Sequence, residues 1–554
     1  MRRSLHYFIC MFFIINLQGC SQEDGVIRVL ILSGSNNHEW KQTTPQLERI
    51  FSQSGLFQYQ VSNQPDTLRT VHLASFDVIV SNWNSWPEND LRWPEETESA
   101  LLQFIKDGGG FVTFHASSSV FYKWPEFKKI STAAWVMDTT GHGNILPVNV
   151  KIQDIGHTIT RGMASFYIQD ELWVNAEVNT NFTVLGTATN AELAEKDIED
   201  QPAIMASKYG KGRIFHTILG HDARTMRNQG FITLMLRGTE WAATGSVSQT
   251  IPQELQAEYN TEGEFNWVET DSSFALLKGQ NIIWKYNFNE MHGKPFFHPI
   301  MLGRNNLTCV SPDDHPWHLG QWFSWKYING LNYWEYMNAN YQSEGVTEIR
   351  NIEIIPNADF SADINLDIVY HPIEGENVMA ENRIIKVSPP PENGNLSMEY
   401  TFSFEALVDS VDLNRTPIIG EPGGQSWGGY SGLSIRFNQD FMDPQYISGW
   451  GEDNDVSGKA GDWLYMGFTG LDGNTVGSVI MTDPDSQLEG NAWYAINDRN
   501  LPFFYFSPAC IYYKPVLLLK GEKLELKYRV EHLSGLADKR NLEKTFREYK
   551  LKNK

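Results

Sequence analysis

The sequence predicts two domains of different class: an α/β domain with a doubly wound, mostly parallel sheet, then an all-β antiparallel sandwich. Three observations carry that expectation. The chain has 554 residues, more than one hydrophobic core usually supports. Short apolar runs alternate with helical spacings from Val26 to Gly245, the texture of βαβ units. From Trp267 onward, short period-two runs are punctuated by Gly, Asn, Asp and Pro, as in antiparallel sandwiches. The boundaries read as a leader over 1–20, an α/β domain over 26–245, a linker over 246–266, a β domain over 267–537 and a charged, helix-leaning tail over 538–554.

The leader comes first. Arg2 and Arg3 precede an apolar stretch, Leu5 to Leu17, too short to span a bilayer comfortably. Its end, Leu17-Gln18-Gly19-Cys20, resembles a bacterial lipobox. The resemblance implies cleavage before Cys20 and lipidation of its thiol, which would tether the protein to a membrane without a spanning helix. Ser21 and Gln22 carry no inner-membrane retention signal. The expected location is therefore the outer membrane of a Gram-negative cell, facing the periplasm or the surface. An ordinary signal peptide with an incidental cysteine is the alternative.

In the α/β domain, Val26–Leu32 reads as a buried strand followed by the turn Ser33 to His38. Pro45–Ser54 has helical spacing, with Leu47, Ile50 and Phe51 on one face. Phe76–Ser81 is a strand ending in the Trp- and Asn-rich loop Asn82–Trp86. Glu95–Asp107 is a helix stopped by Gly108. The run Phe111 to Phe114 then reads as a central strand buried on both faces, and it stops at His115 before Ser117 to Ser119. Tyr209–Arg213 is a hairpin turn feeding Ile214–Leu219, which ends at Gly220-His221-Asp222. Phe231–Ala243 closes the domain as an amphipathic helix.

Side chains just past the carboxyl ends of strands line the ligand crevice of open α/β sheets. His38, His115 and His221 fall at such positions, with Asp222 beside the last. His142 sits between glycines, His157 follows Asp154, and Asp170-Glu171 precedes Leu172-Trp173. One such imidazole is readily explained as a structural residue satisfied by the backbone. Several sharing a crevice imply proton transfer or metal ligation. None has the spacing of a helical zinc motif, so a divalent metal is left open, with His38, His115, His142 and His221 as candidate ligands.

The segments SGSNNHEW, GGGFVTFHASSS, GHG, IGHTITRG, DELW and YGKGRIFHTILGHD resemble, in this order, the ThuA (trehalose utilisation) family. The resemblance covers Val26 to Gly245 and implies a class I glutamine amidotransferase-like fold and a role in sugar utilisation, including pathways through keto-sugars. It also implies that His38, His115, His142, His157, Glu171, His221 and Asp222 are pocket residues. True amidotransferases carry cysteine in the elbow after the central strand, where this chain has Phe114-His115-Ala116. No cysteine lies between Asp24 and Gly245, which excludes a thioester route to glutamine hydrolysis in this domain.

In the β domain the expected strands are Phe274–Leu277, Asn281–Tyr286, Ile349–Ile355, Ile364–Val369, Arg383–Val387, Ser397–Glu405, Gly432–Phe437, Val476–Met481, Tyr512–Leu519 and Leu524–His532. The cluster Pro312 to Phe323, with Phe297-His298-Pro299 before it and Asn329 to Trp334 after it, resembles a β-sandwich family labelled methane oxygenase PmoA. Where relatives show His-His-Arg, this chain keeps His315 and His318 without the arginine. The pair is close enough to share a ligand or metal, and Trp317, Trp322, Trp325, Trp427, Trp463 and Trp493 could stack on sugar rings or simply pack the core. Cys309 and Cys510 remain after the leader, and an oxidising compartment permits a bridge between them.

The formal charge of −23 speaks against a nucleic-acid partner, which needs a basic face. Hydrophobic content of 41% with 13% aromatics fits folded, core-forming domains. The expected function is a lipid-anchored carbohydrate-processing enzyme acting on a glycoside or keto-sugar. His115 and His221 would serve as base and acid, with Glu171 or Asp222 orienting an imidazole. His38, His142, His157, Asp170, His315, His318 and Trp322 are expected at substrate. The rival reading is a non-catalytic glycan-binding or scaffolding lipoprotein.

Overall fold

The computed structural model describes residues 25–552 except 89–90, 180, 259–261, 290–292, 338–339, 451–454, 484–487 and 489–491. The leader and Cys20 therefore lie outside the described residues. No helix among those described is long and apolar enough to cross a membrane.

The first half is built on nine strands: β1 (Ile27–Leu32), β2 (Phe57–Ser62), β3 (Val78–Ser81), β4 (Gly110–Phe114), β5 (Gly141–Ile152), β6 (Phe166–Val174), β7 (Phe182–Asn190), β8 (Gln201–Tyr209) and β9 (Gly212–Thr217). Their order in the sheet is β2-β1-β3-β4-β9-β8-β7-β5-β6. From β2 to β9 every pairing is parallel; from β9 to β6 every pairing is antiparallel. The sheet is thus mixed, which corrects the expectation of a mostly parallel one. The reason lies in the connections: parallel neighbours need a crossover of a dozen residues or more. Among the described residues between β5 and β8 the one helix is Ala191–Glu195, five residues long.

Helices α1 (Trp40–Ser54), α2 (Glu95–Asp107) and α3 (Gln229–Thr244) flank the sheet. α1 buries Leu47, Ile50 and Phe51 and stops at Gly55 in the left-handed conformation, the usual helix stop. α3 is capped by the Asn228 side chain, which accepts from Gly230 and Phe231 N–H. Its Gly238 lies against the Phe215 ring of β9, where any side chain would collide, so α3 seats directly on the sheet beside β4.

The second half contains two large antiparallel sheets. One runs Phe265–Thr270, Ser273–Lys278, Asn281–Asn287, Phe296–Leu302, Gln321–Ser324, Gly432–Arg436, Phe503–Ala509, Ala492–Asp498. The other runs Gly345–Pro356, Ala362–Pro372, Met379–Val387, Leu396–Ala406, Lys523–Ser534, Thr475–Thr482, Trp463–Thr469, Met442–Ser448. Phe274, Trp284 and Phe297 of the first share one apolar core with Ile364, Phe402 and Leu526 of the second. Along Leu396–Ala406 burial alternates without exception, so Met398, Tyr400, Phe402 and Phe404 all face that core, as a period-two strand requires.

Several sequence boundaries shift. Phe265–Thr270 draws the end of the expected linker into a sheet, and Val516–Leu519 is all that forms of the strand expected from Tyr512. The tail forms the helix Lys539–Lys552, which buries Leu542 and Tyr549 against Ile447, Trp463 and Val479. Cys309 and Cys510 are free thiols, so the permitted bridge does not form. Cys309 N–H bonds the carbonyl of Arg436, whereas Cys510 lies beside Gly432. Four residues of strand span roughly 13 Å, and a bridge needs Cα atoms within about 7 Å.

The two halves are in contact. Gln253 exchanges two side-chain hydrogen bonds with the Ile282 backbone, both 3.1 Å. Tyr167 N–H donates to the Leu471 carbonyl at 2.8 Å, and Gln229 N–H donates to Asp440 at 3.0 Å.

Candidate active site

β1, β3, β4 and β9 are consecutive parallel neighbours, so their carboxyl ends lie on one edge of the sheet. Each leads into a polar loop: β1 to His38, β3 to Asn82–Trp86, β4 to His115, and β9 to Gly220-His221. β6 supplies Asp170 and Glu171 from the antiparallel side. The loops close around a cavity of about 150 Å³ lined by residues that include His38, His142, Glu171, Trp135 and Trp173.

His115 is buried and adopts a positive φ of 38°, an unusual backbone for a residue with a side chain. The turn is held by Ser117, whose hydroxyl accepts from Phe114 N–H and donates to the Phe114 carbonyl. His115 Nδ1 lies 2.8 Å from the Ile218 carbonyl oxygen. A carbonyl only accepts, so Nδ1 carries the proton and Nε2 of the neutral ring presents a lone pair. That Nε2 lies 3.2 Å from His221 Nδ1 and 3.7 Å from Glu171 Oε1. His38 packs at a tilt against both rings, with centroids 4.9 Å from His115 and 4.5 Å from His221.

Glu171 is the anionic hub. Its oxygens lie 3.5 Å from His221 Nδ1 and 3.0 Å from His142 Nδ1. Burial pushes its carboxyl up, but the His221 hydrogen bond and the surrounding imidazoles hold it below the usual carboxylate range. His221 responds in kind: burial pushes it down, yet Glu171 more than offsets this and raises it. His38 is driven down to about 4, first by burial and then by His221. Burial, followed by His38 and His221, drives His115 well below the ordinary imidazole value. The cluster therefore holds one imidazole that favours its proton beside two that refuse one, the separation expected of an acid and a base.

Asp170 acts on the backbone. It accepts from Gly220 N–H at 2.8 Å, His221 N–H at 3.2 Å and Glu171 N–H at 2.8 Å, fixing the turn that presents His221. Burial pushes its carboxyl up to about 7.

One ligand atom each from His38, His115 and His221 lie within 4.8 Å of one another. Two nitrogens on one tetrahedral ion at about 2.1 Å would sit roughly 3.4 Å apart, close to the 3.2 Å between His115 and His221. The Ile218 carbonyl on the far nitrogen of His115 is the kind of outer partner that orients metal-binding histidines. The donor set fits a divalent transition metal.

Not every expected residue joins this site. His157 packs against Trp241 of α3, 5.2 Å between ring centres, and its backbone N–H donates to Asp154 Oδ1 at 3.0 Å, away from the cluster. Asp222 turns its carboxylate to Thr225 N–H at 2.8 Å and acts on His38 and His221 through its charge alone. His216 is buried on Thr113. Trp86, Trp135 and Asn37 line the cavity without having been singled out for it. Asn84 ties the loops together, donating to Asn37 Oδ1 at 2.6 Å and to the Ala116 carbonyl at 3.0 Å.

His315 and His318 lie in the second half, stacked 4.7 Å apart, on the wall of a different cavity of about 480 Å³. Trp322 lies behind His318, 5.0 Å ring to ring, 2% exposed and off the cavity surface. Trp325, Trp463 and Trp493 are core residues, while Trp317 and Trp427 reach the cavity.

Residues 28–242 match the family described as ThuA, trehalose utilisation. The ThuA match spans β1 to α3, and so every residue of the histidine cluster. Residues 273–547 match a family of unknown function, DUF6807. No curated protein matches the chain. Among solved structures, a ThuA-like protein from Parabacteroides merdae ATCC 43184 is 28% identical with a TM-score of 0.37, covering 42% of this chain and 95% of its own. A glutamine amidotransferase from Thermotoga maritima is 12% identical with a TM-score of 0.25, covering 39% of this chain and 96% of its own. A β-galactosidase from Rahnella sp. R3 is 12% identical with a TM-score of 0.29, covering 48% of this chain and 36% of its own.

Proposed function

We propose that the ThuA-like half is a sugar-modifying enzyme that moves a proton next to the carbonyl of an oxidised sugar. The observation that carries this reading is the contact cluster of His38, His115, His221 and Glu171, whose His38 and Glu171 reach the cavity and whose imidazoles have opposed protonation preferences. The family description, trehalose utilisation, supports a carbohydrate substrate.

In this reading His115 Nε2 takes the proton from the carbon adjacent to the ketone, and the C–H pair becomes the enolate double bond. His221 gives its proton to the developing oxygen, and Glu171 stabilises the cationic state of His221 before that transfer. Trp173, 4.9 Å from His115, and Trp135 wall the cavity and shield it from water. Were His38, His115 and His221 to hold a divalent ion instead, it would supply Lewis acidity at the same oxygen, with those nitrogens as ligands in place of base and acid. We read the leader as a lipoprotein signal that anchors the chain through Cys20 in the outer membrane, and the second half as a β-sandwich.

The test is incubation of the full chain with keto-glycosides, with product analysis and elemental analysis for bound metal. Product that disappears in His115→Ala and His221→Ala supports the proposal. Undiminished turnover in both would sink it. The aromatic character of the second cavity favours the rival, a non-catalytic glycan-binding protein, and saturable binding without any turnover would decide for it.

A further inference from the structure

The larger cavity lies wholly in the second half and shares no residue with the histidine cluster. Its wall is aromatic. Trp334, Tyr430, Tyr494, Phe503 and Tyr505 form it, and Trp427 stands at it with half of its surface exposed, 52%. A large indole left in water beside a concave apolar wall is unusual unless something covers it.

The polar groups on this wall are few and fixed. Glu335 accepts from Asn332 Nδ2 at 2.6 Å and pairs with Lys326, both through Oε2. Its Oε1 accepts from Tyr430 hydroxyl at 2.7 Å, and a carboxylate oxygen has room for a second donor. His318 is held between His315 and the face of Tyr505, 5.3 Å away. Its Nδ1 and Trp317 Nε1 find no hydrogen-bond partner in the protein, and buried polar atoms rarely go without one.

Charge narrows the ligand further. The Glu335 carboxylate is already matched by Lys326, so a cationic ligand would find no uncompensated anion and would approach a buried ammonium. Among the described lining residues an anion would find no lysine or arginine either. Arg436 is fully buried behind Phe503, 3.7 Å from its ring centre, and bonds Asp314 through Nη2 at 2.7 Å. A wholly apolar ligand would leave the remaining acceptor capacity of Glu335 Oε1 unused. The occupant that satisfies all three conditions is uncharged, has an apolar face, and carries hydroxyls on its rim.

We infer that this cavity is a second carbohydrate site, one that binds a neutral pyranose stacked on Trp427 with a hydroxyl donated to Glu335. The loop bearing Trp427 is held for the purpose. Arg415 grips Glu421 through two hydrogen bonds of 2.8 and 2.7 Å, and Gly429, at φ 100°, lets the chain pass against Tyr512. The inference does not depend on the chemistry proposed for the first cavity.

The test uses the full chain, intrinsic tryptophan fluorescence and calorimetry, with methyl pyranosides of glucose, galactose, mannose and xylose as probes and tetramethylammonium as the cationic competitor. At least one pyranoside is expected to bind saturably. Loss of the stacking ring in Trp427→Ala should weaken it about tenfold, with Glu335→Gln weakening it as well and His115→Ala without effect. Trp427 is exposed, so its variant keeps the fold. Absence of binding by all four sugars, unchanged affinity in Trp427→Ala, loss of binding in His115→Ala, or preference for tetramethylammonium would each overturn the inference. Turnover of keto-glycosides is read separately, so failure here leaves the first proposal standing and the converse holds too.

Discussion

The two cavities differ in what they demand of a ligand. The one at the sheet edge is small, about 150 Å³, with His38, His142 and Glu171 on its wall and His115 and His221 packed against His38. The one in the second half is about 480 Å³ and spreads aromatic rings around a single charge-compensated carboxylate. The first is the one we propose moves protons or holds an ion, and the second the one we infer recognises a shape. The difference follows from architecture. Parallel strands deliver loop ends to one edge, where polar groups from distant positions can meet. Antiparallel strands present whole faces, on which rings can be tiled.

The sharpest way to break that contrast is to remove imidazoles of the first cavity's cluster. His115→Ala and His221→Ala should each lower kcat/KM on a keto-glycoside by about 10³-fold, while pyranoside binding in the second cavity is unchanged; steady-state kinetics and calorimetry on the same samples check both halves. Glu171→Gln keeps the shape but removes the charge that favours His221 protonation. A loss of about 10²-fold in kcat is expected, with the alkaline limb of the pH–rate profile moved to lower pH because the His221 pKa falls.

Asp170→Asn replaces one accepting oxygen by an amide that must face a backbone N–H. It should destabilise the protein by about 1–3 kcal/mol, read by denaturant unfolding, and disturb the His221 turn without touching the aromatic cavity. The smallest effect concerns the contact between the halves. Burial pushes the Asp440 carboxyl up to about 7, above its unfolded value of about 3.9. Its contribution to stability is therefore complete below about pH 4 and is lost as the pH rises through about 7. Asp440→Asn should flatten that part of the stability–pH curve; an unaltered curve would show that the carboxyl does not titrate there.

Much of this was legible in the residues. Apolar runs that stop at His38, His115 and His221 announce strand ends, and strand ends in an α/β sheet announce a crevice. The neighbourhood of those ends was not legible. Phe114 and Thr217 are paired in adjacent strands although 103 positions separate them, and nothing local specifies such a partner. His157 looks like the other histidines in sequence, after a carboxylate in a turn, and only the packing of α3 separates it from them. The tryptophans divide in the same way. Trp322 and Trp427 are chemically identical, and the strand pairing of Trp322 with Phe296 and Ser434 buries one while a loop carries the other into water. The antiparallel half of the first sheet escaped because Gly141–Ile152, Phe166–Val174, Phe182–Asn190 and Gln201–Tyr209 mix polar with apolar residues and are not continuous apolar runs.

The backbone of His115, at φ 38°, has one further implication. Glycine or asparagine would occupy that position at lower conformational energy. Evolution toward thermal robustness alone would thus be drawn to replace the very side chain that faces Glu171. A laboratory selection for heat tolerance, run without any screen for turnover, should recover His115→Gly or His115→Asn among its winners: hardier molecules that have forfeited their chemistry.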